Sequence, residues 1–578
     1  MPASGGLPPR LGARPAQRLR GPGPPRHAAA GRPARLRGRR PGEHGPRPAR
    51  RPRRHPRPAA AGAAPGSGPV KALNGPQRGP LSPRPIRTPH PRGTDSDVLV
   101  IGSGAGGSVV ARELAAAGRQ VTVLEEGPRV GTGSIAAATP AENMRHLYRQ
   151  GGLIPVFGTP TLAYGEGRCV GGTTVVNGGL LWEPPPALLN RWAAESGVAG
   201  YRAADLAAHL GLIAHRLGVA AQPHGAGNHD SRLLAAGAEH LGWQWQPAHR
   251  AVRGCRHSNR CTTGCPTGAK QSMAVSYLPE AEELGARIVP GTRVLRILHE
   301  DGAATGVVAA GPGGRTVVHR AREVFLAAGP LRTPALLQRS RIHRRTAGRE
   351  LSLHVNLRTV ARFDEPVHAD RGTIFTAQVH EFAADGVLMM PSNVTRGALA
   401  AALASRPPQL LDRLLAAFGT LGSYTTQVRM QGKARILAAP RGGLLLRHGM
   451  TSADHSLLRE AFRRTSEVLF AAGARELIPP VATARPLHSR AEAEEFCRRV
   501  RPGDWELVSV HGMASARMGL PGRGGTCDEH GRPHGFRRLR VCDASVLPGV
   551  TGISPQGTVM AFAHEIAERF LHTSPGRP

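Results

Sequence analysis

A histidine able to act as a base lies in the segment SVHGMASARMG, residues 509–519. Neutral imidazole has an ordinary pKa near 6.5, so His511 can accept a proton from a hydroxyl group at neutral pH. General-base assistance of this kind is worth roughly 10²–10⁴-fold in rate. The small residues that follow His511 leave space for a substrate, which distinguishes it from most of the 26 histidines in the chain. We predict that His511 is catalytic if the fold returns it to a cofactor.

A glycine-rich loop about four hundred residues earlier has the spacing of a dinucleotide site. In the segment VLVIGSGAGG, a short apolar strand runs into Gly102, Gly104 and Gly107. The first glycine makes the tight turn, the second lets the backbone approach a pyrophosphate, and the third permits close helix–strand packing. A second strand ends at Glu125, whose carboxylate can accept hydrogen bonds from a ribose, with Glu126 as the alternative. The loop predicts dinucleotide binding but does not separate FAD from NAD.

Three later segments contain further candidates. GEGRCVGGTTVVNGG, residues 165–179, is too polar and glycine-rich to be core, and Asn177 within it can offer an amide to a ring system. VFLAAGPLRTPALLQRS, residues 324–340, predicts a buried strand, a Gly-Pro turn and a helix. A further strand ends at Asp543 and is followed by a loop to Gln556 and a closing amphipathic helix. Since ligands of open α/β sheets lie beyond the carboxyl ends of the strands, both side chains are predicted to meet a cofactor.

Together these segments resemble the glucose-methanol-choline (GMC) family of FAD-dependent oxidoreductases, and within it the long-chain alcohol oxidase and cholesterol-oxidase-like branch. The segment CTTGCPTGAKQSMAVSYLPEAEELGARI is similar to one of that branch, and the resemblance covers about residues 95–572. It implies FAD as the cofactor, held without a covalent link because Val176 stands where some members have a flavin-bearing histidine. The implied FAD contacts are Gly102, Gly104, Gly107 and Glu125 for the ADP half, Val294 for adenine, Gly171, Gly172 and Asn177 along the flavin, and Asp543 at the ribityl–pyrophosphate region.

The resemblance also assigns catalytic positions. HGMASARMG aligns His511 with the catalytic histidine of the family, which takes a hydroxyl proton while the flavin takes the hydride. The partner position, an asparagine or histidine in the family, is Ser554 in the segment TGISPQGT. Serine offers one hydroxyl donor and no amide, so either Ser554 orients the alcohol or the activity is weaker or the substrate differs.

The implied reaction is oxidation of the CH–OH group of a hydrophobic alcohol, long-chain or sterol-like. Oxygen or another electron acceptor would reoxidise the flavin, and no motif separates an oxidase from a dehydrogenase. An NAD-dependent dehydrogenase is disfavoured, because the C-terminal segment returns to the neighbourhood of the first strand.

The order of elements predicts an α/β fold: a Rossmann-type FAD-binding domain with an inserted α+β substrate-binding domain, the PHBH-like arrangement of the family. The FAD-binding domain is predicted to be discontinuous, with residues 94–190, 250–344 and 505–574. Residues 191–249 and 345–504 then form the cap and substrate-binding domain. There, VHEFAADGVLMMP and LLDRLLAAFGTLG supply apolar residues either for a pocket or for ordinary core.

Residues 1–93 have the composition of a disordered tail, rich in Arg, Pro, Gly and Ala. Residues 1–92 hold twenty arginines and one lysine against one glutamate, so they carry +20 of the net charge of +36. Such a tail can neutralise phosphates, but it lacks the aromatic residues on which single-stranded bases stack, so no nucleic-acid partner is expected. A basic-tailed binding protein with an impaired flavin fold is the alternative from a different class.

No run of about 18 apolar residues is present, which predicts that no helix spans a membrane. We expect a cytoplasmic protein, with peripheral membrane contact left open and no indication of oligomeric state. The cysteines Cys255, Cys261 and Cys265 match neither a CxxC pair nor a zinc knuckle, so free thiols, a local disulfide and an iron–sulfur or zinc site all stay open, and no metal is predicted. His564 is predicted to be a packing or surface residue rather than a catalyst, and Arg517 is a candidate to contact reduced flavin or phosphate.

Overall fold

The strand that precedes the glycine-rich loop lies at the centre of a parallel sheet. In the computed structural model, which describes residues 95–223 and 227–574, this strand pairs in parallel with the two strands beside it. Its apolar residues Val98 to Ile101 are buried, as expected for a parallel strand covered on both faces. The predicted disordered tail, residues 1–93, lies outside the described residues.

The described residues form nineteen strands and thirteen α-helices. The strands are β1 Ser96–Ile101, β2 Val121–Leu124, β3 Tyr148–Val156, β4 Leu162–Gly167, β5 Val219–Ala221, β6 Trp245–Pro247, β7 His249–Ala251, β8 Arg287–Val289, β9 Arg293–Glu300, β10 Ala303–Ala310, β11 Thr316–Leu326, β12 Leu351–Arg362, β13 Ala377–Val379, β14 Val387–Pro391, β15 Leu421–Ala438, β16 Leu444–His448, β17 Glu476–Ile478, β18 Leu507–Met513 and β19 Leu539–Val541. The helices are α1 Ala105–Ala116, α2 Thr132–Ala137, α3 Pro140–Leu147, α4 Pro186–Ser196, α5 Ala203–Leu217, α6 His229–His240, α7 Tyr277–Glu283, α8 Arg332–Arg339, α9 Arg396–Ala402, α10 Pro408–Ala416, α11 Ser452–Ala471, α12 Arg490–Arg499 and α13 Gln556–Thr573.

The first sheet has seven strands in the order β8-β2-β1-β11-β10-β9, with β19 beside β11. Strands β8, β2, β1, β11 and β19 are parallel, whereas β9 and β10 add an antiparallel edge. Helix α1 packs against α7 and α13, and these helices share one apolar core with the sheet. This is the predicted Rossmann-type α/β arrangement, and the fold class is confirmed.

The second sheet has ten strands, with β3-β4-β18-β12-β15-β14-β13-β6 as its path and β16 and β17 attached to β15 and β12. Helices α6, α11 and α12 cover one side of it and form a second apolar core. Strand β12 pairs antiparallel with both β15 and β18, which places His354 directly opposite His511. The strand that carries His511 therefore belongs to the second sheet.

The predicted domain boundaries stay a prediction. Two elements lie in the sheet or core of the other predicted domain. Strand β18 lies in the second sheet, whereas α5 packs against α13 in the core of the first. Both sheets belong to one compact unit. Every helix of the described residues is too short or too polar to cross a lipid bilayer.

Candidate active site

One large cavity of about 940 Å³ is lined by residues of both sheets. This volume lies within the range of about 300–1,000 Å³ that is usual for ligand sites. Of the twelve predicted site residues, ten line the cavity: Gly102, Gly104, Glu125, Gly172, Asn177, Val294, His511, Asp543, Ser554 and Gln556. The fold thus brings the glycine-rich loop and the C-terminal histidine to one site. Gly107 and Gly171 do not line the cavity.

The glycines of the loop have different steric surroundings. Gly102 has a positive φ of 97°, and a Cβ on it would lie 2.3 Å from the carbonyl oxygen of Ala327. A Cβ on Gly107 would lie 2.1 Å from the carbonyl oxygen of Gly102, so this glycine allows α1 to pack against the turn. A Cβ on Gly104 would meet no protein atom within 4 Å. The backbone at Gly104 is therefore open to the cavity, as a pyrophosphate at a helix N-terminus requires.

The carboxylate of Glu125 lies at the end of β2, where a ribose is expected. Its Oε2 accepts hydrogen bonds from the backbone N–H (3.0 Å) and hydroxyl (2.7 Å) of Ser103, and its Oε1 accepts one from the N–H of Gly127 (2.8 Å). Burial raises the pKa of Glu125, and these hydrogen bonds oppose the rise. The alternative, Glu126, also lines the cavity but forms an ion pair with Arg149 at 2.9 Å. Of these two carboxylates, Glu126 is paired with an arginine, whereas the hydrogen bonds of Glu125 come from Ser103 and Gly127.

Asn177 and Gln556 join the middle of the chain to its C-terminal helix. The Nδ2 of Asn177 donates to the Oε1 of Gln556 at 2.6 Å, and its Oδ1 accepts from the N–H of Gly179 at 3.0 Å. The buried ammonium group of Lys270 donates to three backbone carbonyls, those of Val175, Asn177 and Cys261, each at 2.7 Å. Lys270 therefore fixes the loop that carries Asn177.

Asp543 follows β19 and is buried, as predicted for the carboxyl end of a parallel strand. Its carboxylate accepts hydrogen bonds from the N–H of Gly329 (2.8 Å), the hydroxyl of Thr333 (2.5 Å) and the N–H of Ser545 (2.8 Å). Burial raises the pKa of Asp543, and these donors oppose the rise. Through these hydrogen bonds, the carboxylate connects the Gly-Pro turn after β11 to the C-terminal segment at the cavity wall.

His511 contacts a second histidine that the sequence analysis missed. The Nδ1 atoms of His511 and His354 are 3.2 Å apart, and the backbone N–H of Gly552 donates to the Nε2 of His354 at 3.0 Å. Because that N–H can only donate, a neutral His354 has its hydrogen on Nδ1 and donates it to His511. The lone pair of a neutral His511 is then on Nδ1. Burial lowers the pKa of His511 from 6.5 to about 4, so its ring is neutral at neutral pH.

The hydroxyl of Ser554 has a hydrogen-bond acceptor within the protein. It lines the cavity and donates to the backbone carbonyl of Leu180 at 3.2 Å. A hydroxyl has one hydrogen to donate, so in this arrangement Ser554 offers only lone pairs to a ligand. The loop itself is held from the second sheet, because Gln427 donates to the carbonyl of Gly552 at 3.0 Å.

The sequence contains a signal that would have found His354. In the β12 segment LSLHVNLRTVAR, polar residues His354, Asn356 and Arg358 alternate with apolar ones, which indicates a strand with one polar face. Asn356 and Arg358 both line the cavity. Lys270 had no such signal, since a single lysine in a glycine-rich loop is usually exposed.

The remaining candidates lie outside this cavity. The seven cysteines are free, so no local disulfide forms, and Cys255, Cys261 and Cys265 line a separate small cavity beside Lys270. His564 is buried in α13 with its Nε2 3.2 Å from the hydroxyl of Tyr277, in agreement with a packing role. Arg517 forms an ion pair with Glu350 at 2.6 Å. Of the two apolar segments, the first contributes Leu388 and Met390 to the large cavity and the second, residues 410–422, contributes none.

Comparison with known proteins agrees with this geometry. Family models of the GMC oxidoreductases match residues 144–356 and 433–563, and a model of an NAD(P)-binding Rossmann-like domain matches residues 100–150. An uncharacterized GMC-type oxidoreductase of Mycobacterium tuberculosis is 36% identical over 482 residues, which cover 83% of this chain and 76% of the relative. A long-chain-alcohol oxidase of Arabidopsis thaliana is 28% identical over 511 residues, which cover 82% and 67%.

A solved structure has the same fold. The pyridoxine 4-oxidase of Mesorbium loti superposes with a TM-score of 0.65 at 20% identity, over 82% of this chain and 99% of that one. The two GMC family models and the relative at 36% identity agree on the family. The chain belongs to the GMC oxidoreductase family and is an FAD-dependent oxidoreductase.

Proposed function

We propose that this chain oxidises the CH–OH group of an alcohol, with His511 as the residue that takes the hydroxyl proton. Bound FAD supplies the acceptor for the carbinol hydride. The single observation that supports the proposal is that His511 shares one cavity with the loop, Glu125 and Asp543, the residues that fit an FAD. The open backbone at Gly104 and the carboxylate of Glu125 would hold the ADP half, and Asn177 and Gln556 would lie along the flavin.

Proton transfer depends on the histidine pair. The Nδ1 lone pair of His511 already accepts a hydrogen bond from His354 in this arrangement. A substrate hydroxyl must displace this contact before His511 can act as a base. The displacement costs about 0.5–1.5 kcal/mol, the net worth of a typical hydrogen bond. General-base assistance accelerates such a reaction roughly 10²–10⁴-fold, and the lowering of the barrier that this represents is larger than the cost of the displaced hydrogen bond.

The substrate that we propose is an alcohol with an apolar portion. The cavity wall includes Trp182, Phe375, Leu388, Met390 and Val394. Apolar side chains of this kind bind a hydrocarbon chain or ring system by excluding water. The relative from Arabidopsis, named as a long-chain-alcohol oxidase, supports this class. Oxygen or another acceptor would reoxidise the flavin.

The experiment that tests the proposal begins with the visible spectrum of the purified full-length protein. A bound flavin gives a visible absorption band that bleaches on reduction. We expect long-chain primary alcohols to bleach it without oxygen in the wild type, and His511→Ala to slow bleaching by about 10²-fold or more. His240→Ala is the matched control, because His240 is exposed at the end of α6 and does not line the cavity. A flavin that is reduced neither by a chain-length and sterol panel nor by alcohols of the same lengths that carry an anionic group would refute the proposal.

A further inference from the structure

The cavity wall made by the second sheet is more polar than an ordinary sheet interior. Successive residues of a strand point to opposite faces, so His354, Asn356 and Arg358 lie on the same face of β12. In the antiparallel register with β15, Asn356 is opposite Gln427 and Arg358 is opposite Thr425. Asn356, Arg358, Thr425 and Gln427 all line the large cavity.

Within the described part of the chain, Arg358 has no hydrogen-bond acceptor and no carboxylate partner. Burial lowers its pKa, and no neighbouring anion opposes that shift. Arg406, another arginine of the same wall, is in contrast paired with Glu506 at 2.7 Å. Arg358 is half-buried, and a partly desolvated cation without an anionic partner is costly, so a guanidinium that faces a cavity in this state is matched to an anion that enters the cavity.

An all-hydrocarbon alcohol would leave the guanidinium of Arg358 without an acceptor, whereas an anionic group on the substrate supplies one.

We propose that the substrate is an alcohol that also carries an anionic oxyacid group, a carboxylate or a phosphate, and that Arg358 binds this group. Arginine presents a planar fork of N–H donors that matches the oxygens of either anion in a bidentate arrangement. The anion undergoes no reaction itself, and it anchors the far end of the molecule. This inference rests on the proposed function and narrows its substrate from a plain hydrophobic alcohol to a hydroxy acid or hydroxyalkyl phosphate.

The distance between the two groups follows from the strand. At about 3.3 Å per residue, the Cα atoms of His354 and Arg358 are roughly 13 Å apart along β12. His354 contacts His511, so the hydroxyl and the anion of the substrate are separated by a distance of this order. The apolar wall then accommodates the chain between them.

The test compares matched substrates in the anaerobic reduction of the bound flavin. The substrates are primary alkanols, ω-hydroxyalkanoates of the same lengths, and monophosphates of the corresponding diols. We expect the wild type to favour one of the anionic series over the alkanol by about 10–100-fold, the value of a charge-assisted bidentate contact. The carboxylate and phosphate arms identify which oxyacid is recognised.

Variants of Arg358 separate recognition from folding. Arg358→Met is expected to remove the preference, so that anionic and neutral substrates of one length reduce the flavin at similar rates, and Arg358→Lys is expected to keep part of the preference. Arg322→Met is the matched control, because Arg322 is exposed on the first sheet. Calorimetric binding of an unreactive alkanoate gives a second readout, with affinity about 10–100-fold lower in Arg358→Met.

Two results would overturn the inference. The first is equal use of neutral and anionic alcohols by the wild type, and the second is a preference for the anion that survives in Arg358→Met. In both cases the alkanol still reduces the flavin, so the proposed function stands while this inference fails. If no alcohol of any series reduces the flavin, both fail together.

Discussion

His511 differs from an ordinary histidine because it is desolvated beside a second histidine. Its lowered pKa, about 4, means that the ring is neutral across the range in which most enzymes work. His354 is fully buried, and burial together with His511 lowers its pKa as well. A neutral pair suits proton uptake from an alcohol, since a protonated His511 has no lone pair to offer.

The pH dependence of flavin reduction tests this description of the residue. Because the base must be unprotonated, we expect the reduction rate to be constant from about pH 8 down to about pH 5.5 and to fall as the pH drops through about 4. An unperturbed histidine would instead lose activity through about pH 6.5. The measurement is the anaerobic reduction rate at saturating alcohol across this range. A midpoint near 6.5 would contradict a desolvated base.

At the scale of elements, two glycines at the start of helix α1 differ in whether the protein itself leaves space for a side chain. A Cβ on Gly106 would lie 1.8 Å from the carbonyl oxygen of Cys542, whereas a Cβ on Gly104 meets no protein atom within 4 Å. The first glycine is thus needed for packing of α1 against the C-terminal segment. The second is needed only if a ligand approaches the backbone there.

We expect Gly104→Ala and Gly106→Ala to fail in different ways. Gly104→Ala should fold with a normal melting temperature and lose affinity for FAD by about tenfold or more, because the added methyl group enters the space of the pyrophosphate. Gly106→Ala should be strongly destabilised through steric overlap. Flavin content and thermal melting of the two purified variants give the comparison. Normal FAD affinity in Gly104→Ala would show that the cofactor does not approach at this position.

Lys270 links three segments through its three carbonyl acceptors. Lys270→Met leaves these buried carbonyls unpaired, so we expect a loss of about 2–4 kcal/mol in the free energy of unfolding. Lys433→Met is the matched control, because Lys433 makes one hydrogen bond, to Ser352 at 2.8 Å, and should cost under about 1 kcal/mol. Denaturant unfolding measures both. Equal losses would show that the three-carbonyl contact contributes little.

The first sheet was predictable because its signals are local. The apolar strand, the glycine spacing, α1 and Glu125 all lie within thirty residues. Each of these signals therefore supports the structure predicted from its neighbour in the sequence. The contact of His354 with His511 joins residues 157 positions apart through strand register, which one sequence does not reveal. The acceptor of the Ser554 hydroxyl, the carbonyl of Leu180, was not predictable for a similar reason, because it is 374 residues away.

At the scale of the whole molecule, the described residues that line the cavity lie between Ile101 and Val559. Residues 1–92, which carry +20 of the net charge, lie outside the described part of the chain. Both sheets contribute residues to the cavity. The Rossmann-type sheet presents the glycine-rich loop and Asp543, and the second sheet presents His511 and Arg358.

We expect removal of residues 1–92 to leave flavin binding and alcohol oxidation unchanged within about twofold, because the proposed site residues lie between Gly102 and Gln556. The same deletion should abolish any binding of RNA or anionic vesicles, because that binding would depend on the basic charge. The measurements are flavin content, reduction rate and a binding titration for both chains. Loss of alcohol oxidation on deletion would assign the tail a part in catalysis.

Hydride transfer to the flavin and proton transfer to His511 are tested together by the anaerobic reduction rate of the bound flavin with a protiated alcohol and with the same alcohol deuterated at the carbinol carbon. We predict that the deuterated alcohol reduces the flavin more slowly and that His511→Ala lowers the rate by about 10²-fold or more with either. These results would show that the carbinol hydride reaches the flavin and that His511 takes the hydroxyl proton. A rate that neither deuterium nor His511→Ala changes would contradict the account.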